Sequence, residues 1–124
     1  MVRPLLVSVV DDDESVRESL PDLLREFGFV ARAFESAEEF LGSDFIGDTS
    51  CLVLDIAMPG MSGPDLQLEL KRRGQEIPVV FITAHGEQAI RLHVERATRC
   101  LVKPFSDTAM LAAINAALRT GPSK

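Results

Sequence analysis

The stretch "LVLDIAMPG", residues 52–60, decides the fold because an apolar run ends in one aspartate and then turns on proline and glycine. A short apolar run bounded by turn signals is typical of a strand that is buried on both faces. The residues that follow, "PGMSGP", supply turn chemistry and place Pro64 near the first turn of a helix. A buried strand that ends in a carboxylate and leads into a helix raises the question of what the carboxylate does.

Working outward, apolar runs and helical spacing alternate along the whole chain. Pro21 interrupts the first helical pattern and predicts a kink or an early irregularity there, and Ser36 with Glu39 predicts a capping box. Strands that alternate with helices need long crossover connections, so the sequence predicts a parallel sheet with helices on both faces, a doubly wound α/β domain. The predicted strands are 5–10, 29–34, 51–55, 78–83 and 100–103, and the predicted helices are 14–28, 36–41, 65–74, 86–98 and 106–119.

Length and composition limit the classes of protein. A chain of 124 residues with 46% hydrophobic content fits one domain, which we place at 1–120, with 121–124 as a frayed tail or the start of a linker. No segment approaches the ~20 apolar residues of a membrane span, so a cytoplasmic protein is expected. The net charge of −6 argues against direct contact with nucleic acid. Cys51 and Cys100 lack metal-ligand spacing and are predicted to be buried small hydrophobic residues.

Polar residues end four of the five predicted strands. Asp11 and Asp12 follow the first strand, Asp55 ends the third, and the list is completed by Thr83 on the fourth and Lys103 on the fifth. Because parallel strands carry their carboxyl ends to the same edge of the sheet, we expect these side chains to converge. The crowded carboxylates would repel one another without a cation, and their oxygen ligands suit Mg²⁺.

The same cluster suggests a phosphoryl group as its anionic ligand. An ionised aspartate can attack phosphorus, and we predict Asp55 as that nucleophile, with Lys103 and Thr83 facing the transferred oxygens. Taken alone, "DDDE" at 11–14 fits a solvated loop whose acids favour the next helix N-terminus, so the prediction rests on all the strand ends together. His85 and His93 have no ligand spacing and are predicted to be surface or loop residues.

Four motifs resemble the receiver domain of bacterial two-component response regulators: "VVDDDESVRESL", "LVLDIAMPGMSG", "FITAHG" and "LVKPF". They follow the family's order and spread over nearly the whole chain. The wording of "VRESL" and "PGMSG" is similar to the FixJ-like branch, whose members usually carry a LuxR-type DNA-binding domain after the receiver. The resemblance implies a flavodoxin-like fold with strand order 2-1-3-4-5 and five helices.

The resemblance also implies roles for residues. Asp55 would accept the phosphoryl group from a partner histidine kinase, and Thr83 and Lys103 would bind its oxygens. The protein ligands of Mg²⁺ would be Asp12, Asp55 and the backbone carbonyl of Ala57, with Asp11 acting through water. Asp13 would belong to the start of the first helix, and the bond between Lys103 and Pro104 would be cis. Thr83 would move on activation, and a homodimer on phosphorylation or a C-terminal output domain would then transmit the signal.

Two departures from the family pattern concern this switch. Cys100 stands where receivers usually have Tyr or Phe, and the segment from Thr83 to Lys103 is about two residues short, with "ATR" at 97–99 in place of "AGA". Two other functions compete. An aspartyl-nucleophile phosphatase would usually have a second Asp where this chain has Ala57, and a receiver-like interaction module would need none of the phosphoryl-binding residues.

Overall fold

The computed structural model describes residues 4–87 and 99–120. Its centre is a parallel sheet of five strands in the order β2-β1-β3-β4-β5, which confirms the predicted doubly wound fold and its strand order. The central strand β3 is the longest and is buried along nearly its whole length. The strands are β1 (Leu6–Val10), β2 (Val30–Phe34), β3 (Thr49–Asp55), β4 (Val79–Thr83) and β5 (Arg99–Val102).

The described residues contain four helices, which begin at the positions where capping residues occur in the sequence. Asp13, Ser36 and Ser62 cap the first three through side-chain oxygens that accept backbone N–H hydrogen bonds. The fourth predicted helix, 86–98, lies almost wholly outside the described residues. The helices are α1 (Glu14–Glu26), α2 (Ala37–Leu41), α3 (Gly63–Arg72) and α4 (Asp107–Thr120).

Two local expectations about the helices concern Pro21 and Ser36. The first helix, α1, continues through Pro21, whose side chain is buried, and the kink expected there stays a prediction. At α2, Ser36 accepts from the backbone N–H of Glu39 at 3.0 Å as predicted. The Glu39 carboxylate, however, accepts from the backbone N–H of Glu35 at 3.3 Å and not from that of Ser36, so the reciprocal half of the capping box is displaced by one residue.

The sheet separates two apolar clusters. Successive strand residues point to opposite faces, so Val9 packs with α1 and α4 while Val10 packs with α2 and α3. Cys51 is fully buried, and burial raises the pKa of its thiol to about 12. Cys100 is half-buried against the cluster under α2 and α3, and burial raises the pKa of its thiol to about 11. Both thiols are therefore protonated near neutral pH.

One buried polar contact extends β3 beyond its predicted start. The hydroxyls of Ser8 on β1 and Thr49 on β3 lie 2.8 Å apart, and Thr49 donates to the backbone carbonyl of Phe45 at 2.7 Å. Because these hydroxyls are satisfied inside the sheet, β3 begins at Thr49, which pairs with Leu6, and the register shifts by one residue at Ser50 before Cys51 pairs with Val7.

No helix among residues 4–87 and 99–120 is long and apolar enough to cross a bilayer.

Candidate functional site

The polar strand ends meet at one edge of the sheet. The order of the strands reverses between β1 and β3, and in open parallel sheets the crevice at such a point is the usual ligand site. Asp11 and Asp12 follow β1, and Asp55 is the last residue of β3. One carboxylate oxygen from each of the three lies within 4.8 Å of the others. The predicted convergence of these acids is therefore present.

Asp11 is the deepest of the three carboxylates. It is fully buried, and its Oδ1 accepts a hydrogen bond from the backbone N–H of Asp13 at 2.8 Å. The backbone of Asp11 is held on both sides, since its N–H donates to Phe34 at 3.1 Å and its carbonyl accepts from Arg17 Nη1 at 3.0 Å. Asp12, by contrast, is exposed. One acid is thus fixed in the sheet while its neighbour faces solvent.

Lys103 supplies the positive charge of the cluster. Its Nζ lies 2.8 Å from Asp11 Oδ2 and 3.8 Å from Asp55 Oδ2. Burial lowers the pKa of Lys103, but its interactions with Asp11, Asp55 and Asp13 outweigh burial, so that the pKa is raised above its usual value. The ammonium therefore stays charged at neutral pH.

The second oxygen of Asp11 remains incompletely satisfied. Oδ2 is buried and accepts no well-oriented hydrogen bond from the described residues, so the nearby Lys103 ammonium acts on it as a charge and not as an aligned donor. With three ionised carboxylates and one ammonium, the cluster would carry a charge of −2. A buried oxygen that lacks a donor, beside two further carboxylates, fits a hard divalent cation such as Mg²⁺.

Asp55 is the carboxylate most affected by its surroundings. Burial, followed by the charge of Asp11, raises its pKa to about 7, while Lys103 opposes this shift. The backbone around it is closely packed, because a Cβ at Gly63 would lie 2.3 Å from the Asp55 carbonyl oxygen. Glycine at the first position of α3 therefore allows that helix to approach the end of β3 directly.

Thr83 and Lys103 are joined through the backbone of β4 and the residue after β5. The N–H of Lys103 donates to the carbonyl of Thr83 at 2.7 Å, and the buried Thr83 hydroxyl accepts from the N–H of His85 at 3.0 Å. His85 is exposed, and His93 lies outside the described residues. The bond between Lys103 and Pro104 is cis.

Three further residues singled out in the sequence, Ala57, Cys100 and Asp13, occupy different parts of the fold. Ala57 is exposed in the loop between β3 and α3, two residues after Asp55. Cys100 lies at the other end of β5 from Lys103 and packs into the core. Asp13 caps α1 by accepting from the N–H of Ser15 at 3.0 Å, and its hydrogen bonds from Ser15 lower its pKa. Its side chain thus belongs to the helix start, as the sequence indicated.

Arg17 and Glu38 also contact this region and were not singled out in the sequence. Arg17 holds the carbonyl of Asp11, and Glu38 accepts from the backbone N–H of Met61 in the loop after β3. Arg17 lies in the first turn of α1, just after the acidic run, and this position is only a weak indication of its contact with Asp11. The sequence around Glu38 does not indicate its contact, because its partner Met61 lies 23 residues further along the chain.

The family model of the response regulator receiver domain matches residues 7–115 of this chain. The chain belongs to that family, which confirms the resemblance drawn from the four motifs. Receiver domains are signalling domains of response regulators, which act with histidine kinases and carry output domains.

Two curated relatives agree with this assignment. Nodulation protein W of Bradyrhizobium diazoefficiens is 46% identical over 114 residues, which cover 90% of this chain and 50% of that protein. Transcriptional regulatory protein FixJ of Azorhizobium caulinodans is 40% identical over 120 residues, covering 95% of this chain and 57% of that protein. The chain therefore spans about half the length of these relatives.

A solved structure is also similar to this chain. Response regulator protein TrrA from Thermotoga maritima, in complex with Mg²⁺ and BeF, is 29% identical with a TM-score of 0.79. The match covers 92% of this chain and 99% of that one.

Proposed function

We propose that this chain is a receiver that accepts a phosphoryl group on Asp55 from a histidine kinase in a Mg²⁺-dependent reaction. The observation that carries the proposal is the carboxylate of Asp55 at the end of β3, grouped with those of Asp11 and Asp12 and 3.8 Å from the ammonium of Lys103. This arrangement combines a nucleophile, oxygen ligands for a cation and a fixed positive charge.

In the proposed transfer, a carboxylate oxygen of Asp55 attacks the phosphorus of a phosphohistidine. The new O–P bond forms as the P–N bond breaks, and the electron pair of that bond leaves on the imidazole nitrogen. Lys103 would then balance charge on the phosphoryl oxygens, and the Thr83 hydroxyl would donate to one of them.

The residues present fit a divalent cation. Asp12, Asp55 and the backbone carbonyl of Ala57 would hold Mg²⁺ directly, and the buried Asp11 would act through a water molecule. The cation would neutralise charge on the transferred group. TrrA, which carries Mg²⁺ and BeF in its structure, supports this cofactor for a related domain.

The phosphorylated domain would act as a switch and not as a turnover enzyme. Thr83 and Lys103 share a backbone hydrogen bond. Movement of the threonine toward the phosphoryl group would therefore also shift the backbone of Lys103, the residue after β5. Cys100 on that strand replaces the usual aromatic residue, and we propose that the signal passes through it by a smaller packing change. Formation of a homodimer is one way in which that signal could be passed on.

A C-terminal output domain is the second way in which the signal could be passed on. The curated relatives described above are about twice as long as the matched region, and one is a transcriptional regulatory protein. We propose a receiver domain at 1–120, a linker beginning at 121–124, and control of transcription from the cytoplasm through a following domain. An interaction module that works without phosphorylation is disfavoured by the grouped acids and by Lys103.

The test is the intact mass of the protein after incubation with acetyl phosphate, with and without Mg²⁺. We expect the wild-type protein to gain one phosphoryl group only when Mg²⁺ is present, and Asp55→Asn to gain none. Asp65→Asn is the matched control, because Asp65 is an exposed acid in the first turn of α3 and outside the cluster. Labelling of Asp55→Asn, or failure of the folded wild type with both acetyl phosphate and a phosphorylated kinase, would contradict the proposal.

A further inference from the structure

Glu38 is an exposed residue of α2 whose carboxylate reaches the loop that follows β3. Its Oε2 accepts a hydrogen bond from the backbone N–H of Met61 at 3.2 Å. The neighbouring Glu39 makes a different contact, since its carboxylate accepts from the N–H of Glu35 at the start of its own helix. Two adjacent glutamates of the same helical turn thus serve separate parts of the molecule.

The loop that Glu38 contacts, residues 56–62, is anchored mainly at its base. Ile56 donates its N–H to the carbonyl of Ile82 at 3.0 Å, and Gly63 donates to the carbonyl of Ile56 at 2.9 Å. Among the hydrogen bonds between described residues, the one from Met61 to Glu38 ties the outer part of this loop to another element. Without it, the segment that includes Ala57 would have more freedom.

The backbone of Gly60 is shaped to receive the same carboxylate. Gly60 has a φ of +77°, and a Cβ at this position would lie 2.8 Å from Glu38 Oε2. Glycine adopts this conformation without strain, and the lack of a Cβ leaves space beside the loop for the Glu38 carboxylate. The oxygen that occupies this space is the one that accepts the hydrogen bond from Met61.

We propose that Glu38 is a positioning residue for the cation site, holding the loop in the conformation in which Ala57 offers its carbonyl as a ligand. This inference rests on the proposed function, because the ligand role of Ala57 belongs to it. The physical effect is preorganisation: a loop that is already ordered loses less conformational entropy when a ligand binds. Glu38 itself touches neither the cation nor the phosphoryl group in this scheme.

The test compares Glu38→Ala, Glu38→Gln and the matched control Glu39→Ala. Mg²⁺ affinity would be measured by titration calorimetry, and exchange of the Met61 amide proton would be followed by NMR in the metal-free protein. We expect Glu38→Ala to lose protection of the Met61 amide and to bind Mg²⁺ about fivefold more weakly. A change of this size corresponds to the loss of one exposed hydrogen bond. Glu38→Gln should restore most of both, because its amide oxygen can accept the same bond.

Several results would overturn the inference. They are unchanged Mg²⁺ affinity in Glu38→Ala, unchanged exchange at Met61, or an equal loss of affinity in Glu39→Ala, which would point to the stability of α2 as the cause. Failure of Glu38→Gln to recover would also count against it. A wild-type protein that does not bind Mg²⁺ at all would instead refute the proposed function, so the two failures can be distinguished.

Discussion

Replacing Asp55 by asparagine is expected to stabilise the metal-free domain at and above neutral pH. Burial and the charge of Asp11 raise the pKa of Asp55 from 3.8 to about 7. A shift of about three units corresponds to at most about 4 kcal/mol, at about 1.36 kcal/mol per unit. Water at the mouth of the site screens part of this penalty, so we expect Asp55→Asn to gain about 1–2 kcal/mol in free energy of unfolding.

The gain should depend on pH in a defined direction. Between about pH 4 and pH 7 the folded wild-type protein keeps a proton on Asp55 that the unfolded chain has lost. The wild-type protein therefore loses stability as the pH rises through this window. Asparagine does not titrate, so the advantage of the variant should be small near pH 4 and complete above about pH 7.

Urea unfolding followed by far-ultraviolet circular dichroism would measure the effect, because the chain has no Trp or Tyr for fluorescence. With a slope of about 1–2 kcal/mol/M, the midpoint of Asp55→Asn at pH 8 should rise by about 1 M. Asp65→Asn, which removes an exposed acid, should show no comparable pH-dependent gain. Equal midpoints for wild type and Asp55→Asn at pH 8, or a difference that is constant with pH, would refute the reasoning.

Three further predictions follow from the same site. Mg²⁺ at about 100 times its dissociation constant should raise the free energy of unfolding of the wild type by about 2.7 kcal/mol and that of Asp55→Asn by less, as measured by urea unfolding. Lys103→Met leaves a buried carboxylate without its cation, so it should lose about 2–3 kcal/mol at pH 8 and less at pH 5, whereas the exposed Lys71→Met should change little in the same assay. Gly63→Ala places a methyl group 2.3 Å from a backbone oxygen and should lower the thermal midpoint by several degrees, while Gly47→Ala, with no atom within 4 Å, should not.

Predictions from the sequence succeeded where the relevant signal was local. The apolar runs predicted all five strands to within two residues at either end, and the run that ends in Asp55 identified the central strand. The grouping of Asp11, Asp12 and Asp55 followed from parallel strands alone, because the direction of a strand determines the edge at which its last residue lies. The strand order, by contrast, came from the family resemblance, since apolar patterning does not specify which strands are neighbours.

Contacts between distant segments were not predictable in this way. Thr49 joins β3 because Ser8, 41 residues earlier, satisfies its hydroxyl, and no local pattern indicates that partner. Glu38 resembles any exposed helical glutamate until the loop containing Met61 is placed against it. The sequence shows which side chains could form hydrogen bonds, but the partners depend on how the elements pack.

The division of the interior by the sheet makes it possible to observe the two halves separately. Phe40 lies in the cluster under α2 and α3, and Met110 lies in the cluster under α1 and α4. Since the chain has no tryptophan, a single Phe40→Trp or Met110→Trp substitution would introduce one optical probe on a chosen side. Comparing the two emission spectra before and after phosphorylation would show on which side of the sheet the packing changes.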